Sequence, residues 1–226
     1  MQYEIFGGNL PAVSIQLDRG ESIYTQSGGM TWMSADMKME TNMKGGLMKG
    51  LGRMLTGDSL FMATYSATEN RQSITIASSF PGNIAALDVA RGPYVCQKNA
   101  FLCAQPNVEL KAYVVPGMKA GLFGGEGFIL QELSGNGMAF VEIDGSLKEI
   151  DLAPGEKLKV DTGNVAVFEK RVKYSVEMLK GFSNILFGGE GLFLTTVEGP
   201  GKVWLQTMTA PGFAEKLIPF LPFKKD

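Results

Sequence analysis

The sequence predicts an all-β fold built from three tandem repeats. Glycine-rich turns recur at 54–62, 122–130 and 186–194, each with an acidic residue at its centre. Alternating apolar and polar residues, as in 128–133, are typical of strands with one buried face. The 29 glycines place turn signals about every 8–12 residues, a spacing found in sandwiches and barrels. Together these observations favour several small β units over one α/β domain.

The acidic residues of the three turns are Asp58, Glu126 and Glu190, so the copies lie 68 and 64 residues apart. A period of this length indicates one supersecondary unit used three times. We therefore divide the chain, 1–226, as one compact domain with repeats at 10–78, 83–144 and 147–209. Residues 210–226 form a C-terminal tail.

Each unit is predicted to contain a strand, a turn, a second strand, a middle segment, the glycine-rich turn and two further strands. The first turn contains Gly20, Gly92 or Gly155. Helical spacing is found only at 43–55, where four glycines weaken it, and at 212–218, where Pro219 ends it. The apolar tail after Pro219 is expected to pack against the rest of the chain.

The three units are expected to close on themselves as a pseudo-threefold trimer. Each unit exposes a face that matches the next, and closure removes exposed strand edges. An array in line would need distinct capping units, and the sequence contains none. The tryptophans Trp32 and Trp204 are expected in the core.

Composition argues against several classes of function. The net charge of −2 gives no electrostatic reason to expect a nucleic-acid partner. The chain has no histidine, which excludes Ser-His-Asp and Cys-His nucleophiles and His-rich metal centres. We therefore predict a non-enzymatic protein without catalytic residues, metal or cofactor. Cys96 and Cys103 are expected to be buried thiols, with a disulfide as the alternative.

The glycine-rich turns are the sharpest candidate binding site. Their glycines, including Gly57, Gly125 and Gly189, allow positive φ and could cradle an anion with backbone N–H groups. They lack the Lys-Ser/Thr of a phosphate-binding loop, so tight turns where units meet are the favoured interpretation. Closure could also bring Asp58, Glu126 and Glu190 together, which would suit Ca²⁺ or Mg²⁺.

A second candidate is the methionine-rich segment 30–54, which contains seven of the thirteen methionines. Methionine is adaptable and common on surfaces that bind varied partners. Leu47, Met48 and Leu51 are the residues expected to contact a membrane or a partner protein, with core packing as the alternative. Since no secretory signal or membrane-spanning run is visible, we expect a cytoplasmic protein, with the membrane periphery as the alternative location.

The three turns, the opening Gly-Gly-Met-Thr-Trp-Met-Ser at 28–34 and the glycine-rich run at 49–58 resemble the AIM24 family. The likeness extends from about residue 3 to 222. It implies a fold similar to the tryptophan RNA-binding attenuation protein, a short double-stranded β-helix or sandwich-like unit used three times as a pseudo-trimer. Eukaryotic relatives in the family support organisation of the mitochondrial inner membrane. The resemblance supplies no catalytic residues.

These observations predict a non-catalytic binding or scaffolding protein, associated with an unidentified protein or membrane and able to form homo-oligomers. The alternative is a small-ligand or RNA-binding module that uses the glycine turns or the clefts between repeats. An acid–base enzyme would need two carboxyl groups that face each other with unequal pKa values, and the sequence spacing supplies no such pair.

Overall fold

The structure is a computed structural model that describes residues 1–26, 28–43, 61–115, 129–178 and 193–221. Within these residues the chain forms nineteen β-strands and one α-helix. The predicted all-β class is therefore confirmed. All strand pairs are antiparallel, as expected for short strands joined by tight turns.

The strands follow one another in three sets of six, which we call units 1, 2 and 3. β1 (Gln2–Phe6) precedes unit 1, which contains β2 (Ala12–Leu17), β3 (Ser22–Gln26), β4 (Met30–Met33), β5 (Lys38–Met43), β6 (Phe61–Ser66) and β7 (Gln72–Ala77). Unit 2 contains β8 (Gly82–Asp88), β9 (Tyr94–Gln97), β10 (Phe101–Ala104), β11 (Val108–Tyr113), β12 (Leu130–Gly135) and β13 (Met138–Asp144). Unit 3 contains β14 (Leu147–Leu152), β15 (Lys157–Asp161), β16 (Val165–Glu169), β17 (Lys173–Met178), β18 (Phe193–Glu198) and β19 (Gly201–Gln206).

Strand pairing follows the same rule in each unit. The sixth strand pairs with the first and the third strands, as β7 does with β2 and β4. The fifth strand pairs with the second and the fourth strands, as β6 does with β3 and β5. A register shift occurs in the third strand every time, between Met30 and Trp32, Phe101 and Cys103, or Val165 and Val167. The turn glycines Gly20, Gly92 and Gly155 all have positive φ, which is why glycine is required there.

Neighbouring units are joined by pairing the second strand of one with the third strand of the next. β3 pairs with β10, and β9 pairs with β16. These contacts create two six-stranded sheets, in the orders β5-β6-β3-β10-β13-β8 and β11-β12-β9-β16-β19-β14. The ends of the chain contribute a four-stranded sheet, β1-β2-β7-β4, and a three-stranded sheet, β15-β18-β17. Backbone hydrogen bonding thus continues across both unit boundaries.

The buried side chains form one cluster between the units and one cluster towards each end. The central cluster includes Tyr24 of unit 1, Leu133 of unit 2 and Trp204 of unit 3. The other two contain mainly residues of unit 1 or of unit 3, with a few from unit 2. Unit 2 therefore contributes to all three clusters. Its position in the middle of the chain makes it the part that both neighbours pack against.

Three features differ from the sequence predictions. The middle segment of each unit contains two strands, the third and the fourth, and β1 adds a strand that lies before the first unit. Trp32 is 54% exposed, so its predicted place in the core is wrong. The described part of the apolar tail does not pack as expected either, since Phe220 is 83% exposed and Leu221 is exposed as well. α1 (Ala210–Leu217) covers the predicted C-terminal helix, with the Thr209 side chain accepting a hydrogen bond from Gly212 N. The predicted helical segment 43–55 lies outside the described residues beyond Met43, which ends β5.

Candidate functional site

A cavity of about 330 Å³ lies where the sixth strands of the three units end. Its lining includes Ala77 of β7, Glu142 of β13 and Gln206 of β19. In each unit, the first residue of the third strand pairs with a residue of the sixth strand, and the cavity residue is the one that comes directly after this partner. The three cavity residues therefore hold equivalent places. The three units therefore converge at this point. This cavity receives the same strand position from three parts of one chain, so it is the candidate site.

Glu142 joins unit 2 to unit 1. Its Oε2 accepts hydrogen bonds from Ser78 Oγ at 2.8 Å and from Ser79 N at 2.6 Å. The side chain is 8% exposed, and its sequence position explains why. It lies in the middle of an otherwise apolar run, Met138–Ile143, whose other members are directed into the core or the sheet junction.

Two glutamines join unit 2 to unit 3. Gln97 Nε2 donates to the carbonyl oxygens of Gly163 at 3.0 Å and Val165 at 2.7 Å. Gln206 Nε2 donates to the same Gly163 carbonyl at 2.9 Å, while its Oε1 accepts from Asp144 N at 3.1 Å. Each contact crosses the boundary between units or closes the loop beside it. The polar groups of the cavity thus satisfy backbone groups at strand ends, which would otherwise be left unpaired.

The cavity is acidic. Burial raises the pKa of the Glu142 carboxyl, although the hydrogen bonds from Ser79 and Ser78 oppose that shift. Burial also raises the pKa of the Asp144 carboxyl, and the backbone N–H of Ala210 opposes it. No lysine or arginine is among the described residues that line the cavity. A ligand that entered it would therefore meet carboxylates, amides and the rings of Phe80 and Phe101.

We expect Glu142→Gln to change how stability depends on pH. Because the pKa of Glu142 is higher in the folded state, its contribution to stability is fully present below the unfolded pKa and is lost as pH rises through the folded pKa. The free energy of unfolding of the wild type should therefore fall relative to that of Glu142→Gln between acidic and neutral pH. Gln206 fills the equivalent place in unit 3, so glutamine fits there. Urea unfolding at several pH values measures the difference. An identical pH dependence of the two proteins would contradict the prediction, and Glu4→Gln on the exposed strand β1 is the control.

The residues predicted as a binding site from the sequence lie outside the described part of the chain. Asp58, Glu126, Glu190, Gly57, Gly125 and Gly189 fall within 44–60, 116–128 and 179–192, as do Leu47, Met48 and Leu51. The structure places only the strands that flank them, pairing Met43 with Phe61, Tyr113 with Leu130 and Met178 with Phe193. Leu130 also pairs with Gln97, a cavity residue.

Sequence analysis missed the residues of the cavity. Glu142 could have been noticed as a charge inside an apolar run, and Gln26 with Gln97 as a repeated polar residue at the end of the second strand. Among the described residues there is no cluster of three or more His, Cys, Asp or Glu able to hold a metal ion. Cys96 and Cys103 are buried and free, which confirms the predicted thiols. Burial raises the pKa of Cys96 to about 12 and raises that of Cys103 as well, so both thiols stay protonated.

Residues 3–208 match the profile of a family described as "Mitochondrial biogenesis AIM24". The chain belongs to the AIM24 family. An uncharacterized protein of Streptococcus pyogenes serotype M6 is 30% identical over 220 residues, which cover 94% of this chain and 87% of that relative. A crystal structure of a Streptococcus pyogenes protein shares 25% identity with a TM-score of 0.78, covering 97% of this chain and 99% of that one. The family resemblance seen in the turns is therefore confirmed, and the fold of this AIM24 chain is shared with a solved structure. In the described residues, no helix combines the length and the apolar character that crossing a bilayer requires.

Proposed function

We propose that this AIM24-family chain is a non-catalytic binding or scaffolding protein. The supporting observation is how the polar groups of the cavity are used. Glu142, Gln97 and Gln206 each hold backbone atoms across a unit boundary or beside it. Side chains fixed in this way stabilise the meeting of three units, and the polar atoms that form these bonds are used within the protein itself.

The carboxyl groups of the cavity also favour a structural role over acid–base catalysis. A catalytic pair needs one raised and one ordinary or lowered pKa, set by contrasting surroundings. Burial raises the pKa of both Glu142 and Asp144. Since the two shifts share a direction and a cause, they do not separate an acid from a base. The absence of histidine from the sequence supports the same conclusion.

We infer that the three units are copies of one repeated unit, and the likeness of that unit to the tryptophan RNA-binding attenuation protein stays a prediction. The identical pairing rule and the register shift at the third strand of each unit support this inference. Closure into a pseudo-threefold trimer stays a prediction. Within the described residues, β4 and β15 would have to pair to complete it, and each has a partner on one side alone.

The second candidate function is a small-ligand site in the cavity. The observation that favours it is a volume of about 330 Å³, at the lower end of the usual size for ligand pockets. Its described lining residues include two carboxylates and no cation. A small amine, or a small organic cation that carries hydroxyl groups, would match the charge and polarity of this lining. RNA is a poorer fit, since the chain is acidic overall and RNA requires a basic groove.

Gln97→Ala tests the scaffolding role. It removes two hydrogen bonds to unit 3, and about 1–3 kcal/mol of unfolding free energy should be lost with them. Gln2→Ala on exposed β1 is the matched control and should change little. Urea unfolding followed by circular dichroism measures both. A Gln97→Ala chain as stable as the control would contradict the proposal, as would turnover of any substrate that Glu142→Gln abolishes.

Thermal shifts with small amines, Mg²⁺ and Ca²⁺ separate the two candidate functions. The scaffolding role predicts the same shifts for the wild type and for Glu142→Gln. A compound that raises the melting temperature of the wild type and leaves that of Glu142→Gln unchanged would favour the ligand site.

The partner is inferred to be another protein or the surface of a membrane, with the chain in the cytoplasm or at the membrane periphery. Liposome flotation tests the membrane as the partner by comparing the wild type with a chain in which Leu47, Met48 and Leu51 are serine. We expect the substituted chain to float less. The control replaces exposed apolar residues elsewhere, Leu10, Val114 and Phe220. Equal flotation of the wild type and the Leu47/Met48/Leu51 variant would remove that segment as the contact.

A further inference from the structure

Two strands in the described part of the chain have an open edge where their counterparts are paired on both sides. β4 pairs with β7 alone, whereas the third strands of units 2 and 3 pair on both sides. β15 pairs with β18 alone, whereas the second strands of units 1 and 2 pair on both sides. The chain thus contains two complete junctions between units, and the two halves of a third one.

Burial shows that β4 lacks a cover. Trp32 pairs with Thr75 directly after the register shift, as Cys103 does with Phe140 and Val167 with Trp204. These three positions are therefore equivalent. Cys103 and Val167 are completely buried, while Trp32 is 54% exposed. A large aromatic side chain at an open edge is typical of an interface residue.

The edge strand β15 shows the complementary pattern. Its Val160 is equivalent to Thr25 of β3 and to Cys96 of β9. The residue directly after each of them pairs with the same position of the fifth strand of its unit. These next residues are Asp161, Gln26 and Gln97. Thr25 and Cys96 are buried, but Val160 is only half-buried. The side chain that should be covered by a neighbouring third strand is therefore partly open.

Lysines often protect an exposed edge from pairing, and β15 contains two. Both are held on the face of the sheet by carboxylates. Lys157 forms an ion pair with Glu198 at 3.2 Å, and Lys159 forms one with Glu177 at 2.5 Å. Each lysine thus has an acidic partner on the sheet, Glu198 being shared with Lys173, and the backbone edge of β15 stays available to another strand.

We propose that β15 of one copy pairs antiparallel with β4 of a second copy, and so builds the third junction between molecules. Continuity with the two internal junctions fixes the register. Cys103 lies opposite Thr25, and Val167 lies opposite Cys96, so Trp32 of one copy lies opposite Val160 of the next. Each copy offers one edge of each kind, and the contact is head-to-tail. Such contacts give rings where the rotation closes and filaments where it does not. This assembly goes beyond the proposed function of the single chain.

Cysteine cross-linking tests the register and the partner together. The native cysteines are buried, so a Trp32→Cys/Val160→Cys chain presents only the new pair to a mild oxidant. Directly opposite residues lie within disulfide distance. The expected product is a ladder of disulfide-linked dimers and higher species on non-reducing gels. Trp32→Cys with Lys157→Cys, three residues out of register, is the matched control and should link far less.

A second experiment separates pairing between copies from pairing within one copy. Each of the two substitutions is placed on its own chain, the chains carry different tags, and they are co-expressed. Pairing between copies predicts a linked heterodimer of Trp32→Cys with Val160→Cys. A double variant that links only within one chain, at the mobility of a monomer, would overturn the proposal in favour of closure. Absence of any link in correctly folded protein, at a concentration where Trp32→Ala still associates, would overturn it as well.

Trp32→Ala supplies an independent readout by sedimentation velocity. The wild type should self-associate, and Trp32→Ala should raise the dissociation constant at least about tenfold, as interface tryptophans commonly do. Circular dichroism checks the fold, which should persist because the side chain is exposed. A wild type that stays monomeric at all concentrations, or a Trp32→Ala chain that associates equally well, would contradict the proposal.

Discussion

Tyr24→Ala should lower the free energy of unfolding by about 3–5 kcal/mol. The Tyr24 ring is 1% exposed and stacks on Phe101 of unit 2, with ring centroids 5.6 Å apart. Its hydroxyl donates to the Val108 carbonyl at 2.8 Å. Burial raises the pKa of this hydroxyl, so it stays protonated and keeps that bond well into the alkaline range. One side chain of unit 1 thus packs in the core against unit 2 and satisfies a backbone acceptor there.

Tyr24→Phe divides the two contributions. It keeps the ring and removes the hydroxyl, which leaves the buried Val108 carbonyl without this donor, and about 1–2 kcal/mol should be lost. Tyr3→Ala is the comparison. Tyr3 is 44% exposed on β1 and meets Phe140 edge to face at 4.9 Å, so it should contribute less than the fully buried Tyr24. Urea unfolding measures all three variants. A loss for Tyr24→Ala no greater than that for Tyr3→Ala would contradict the account of the first junction.

Trp204→Ala should cause a loss of similar size, about 3–5 kcal/mol, at the second junction. The Trp204 ring meets Tyr94 of unit 2 edge to face at 5.6 Å, and its Nε1 donates to Glu149 Oε1 at 3.0 Å. The Lys202 ammonium lies 5.7 Å from the ring centroid. Because Trp204 is buried while Trp32 is largely exposed, the two tryptophans report different surroundings.

Fluorescence of single-tryptophan chains checks this assignment without relying on stability. Trp32→Phe leaves Trp204 and should emit at shorter wavelength than Trp204→Phe, which leaves the exposed Trp32. The measurement belongs at low protein concentration, where copies are dissociated. Emission at the same wavelength from both chains would show that the burial of the two residues is not as described.

Much of the fold could be predicted because strands with one buried face are recognisable by alternating apolar and polar residues. The run 157–161, in which charged and apolar residues alternate, became β15. Short strands have no such signal. β4 and β10 contain four residues each, too few for a period of two to stand out. β1 was missed for another reason, since all five of its residues are exposed and no buried face marks it.

The candidate site was harder to predict because its residues owe their position to pairing between distant segments. Glu142 meets Ser79 across 63 residues of chain, and Gln97 meets Val165 across 68. A local motif cannot show such contacts. Trp32 illustrates the same limit, since its sequence context is that of a core residue, yet it lies on a strand at the edge of its sheet and is largely exposed. The repeated turns were visible in the sequence because they are local.

The central claim is that shared six-stranded sheets join the three units into one cooperative structure. Differential scanning calorimetry tests it most directly, because independent units would melt separately and joined ones melt together. The account predicts a single transition whose van't Hoff and calorimetric enthalpies agree, and which Tyr24→Ala moves as a whole to lower temperature. Two or more separable transitions, with Tyr24→Ala shifting only one of them, would contradict it.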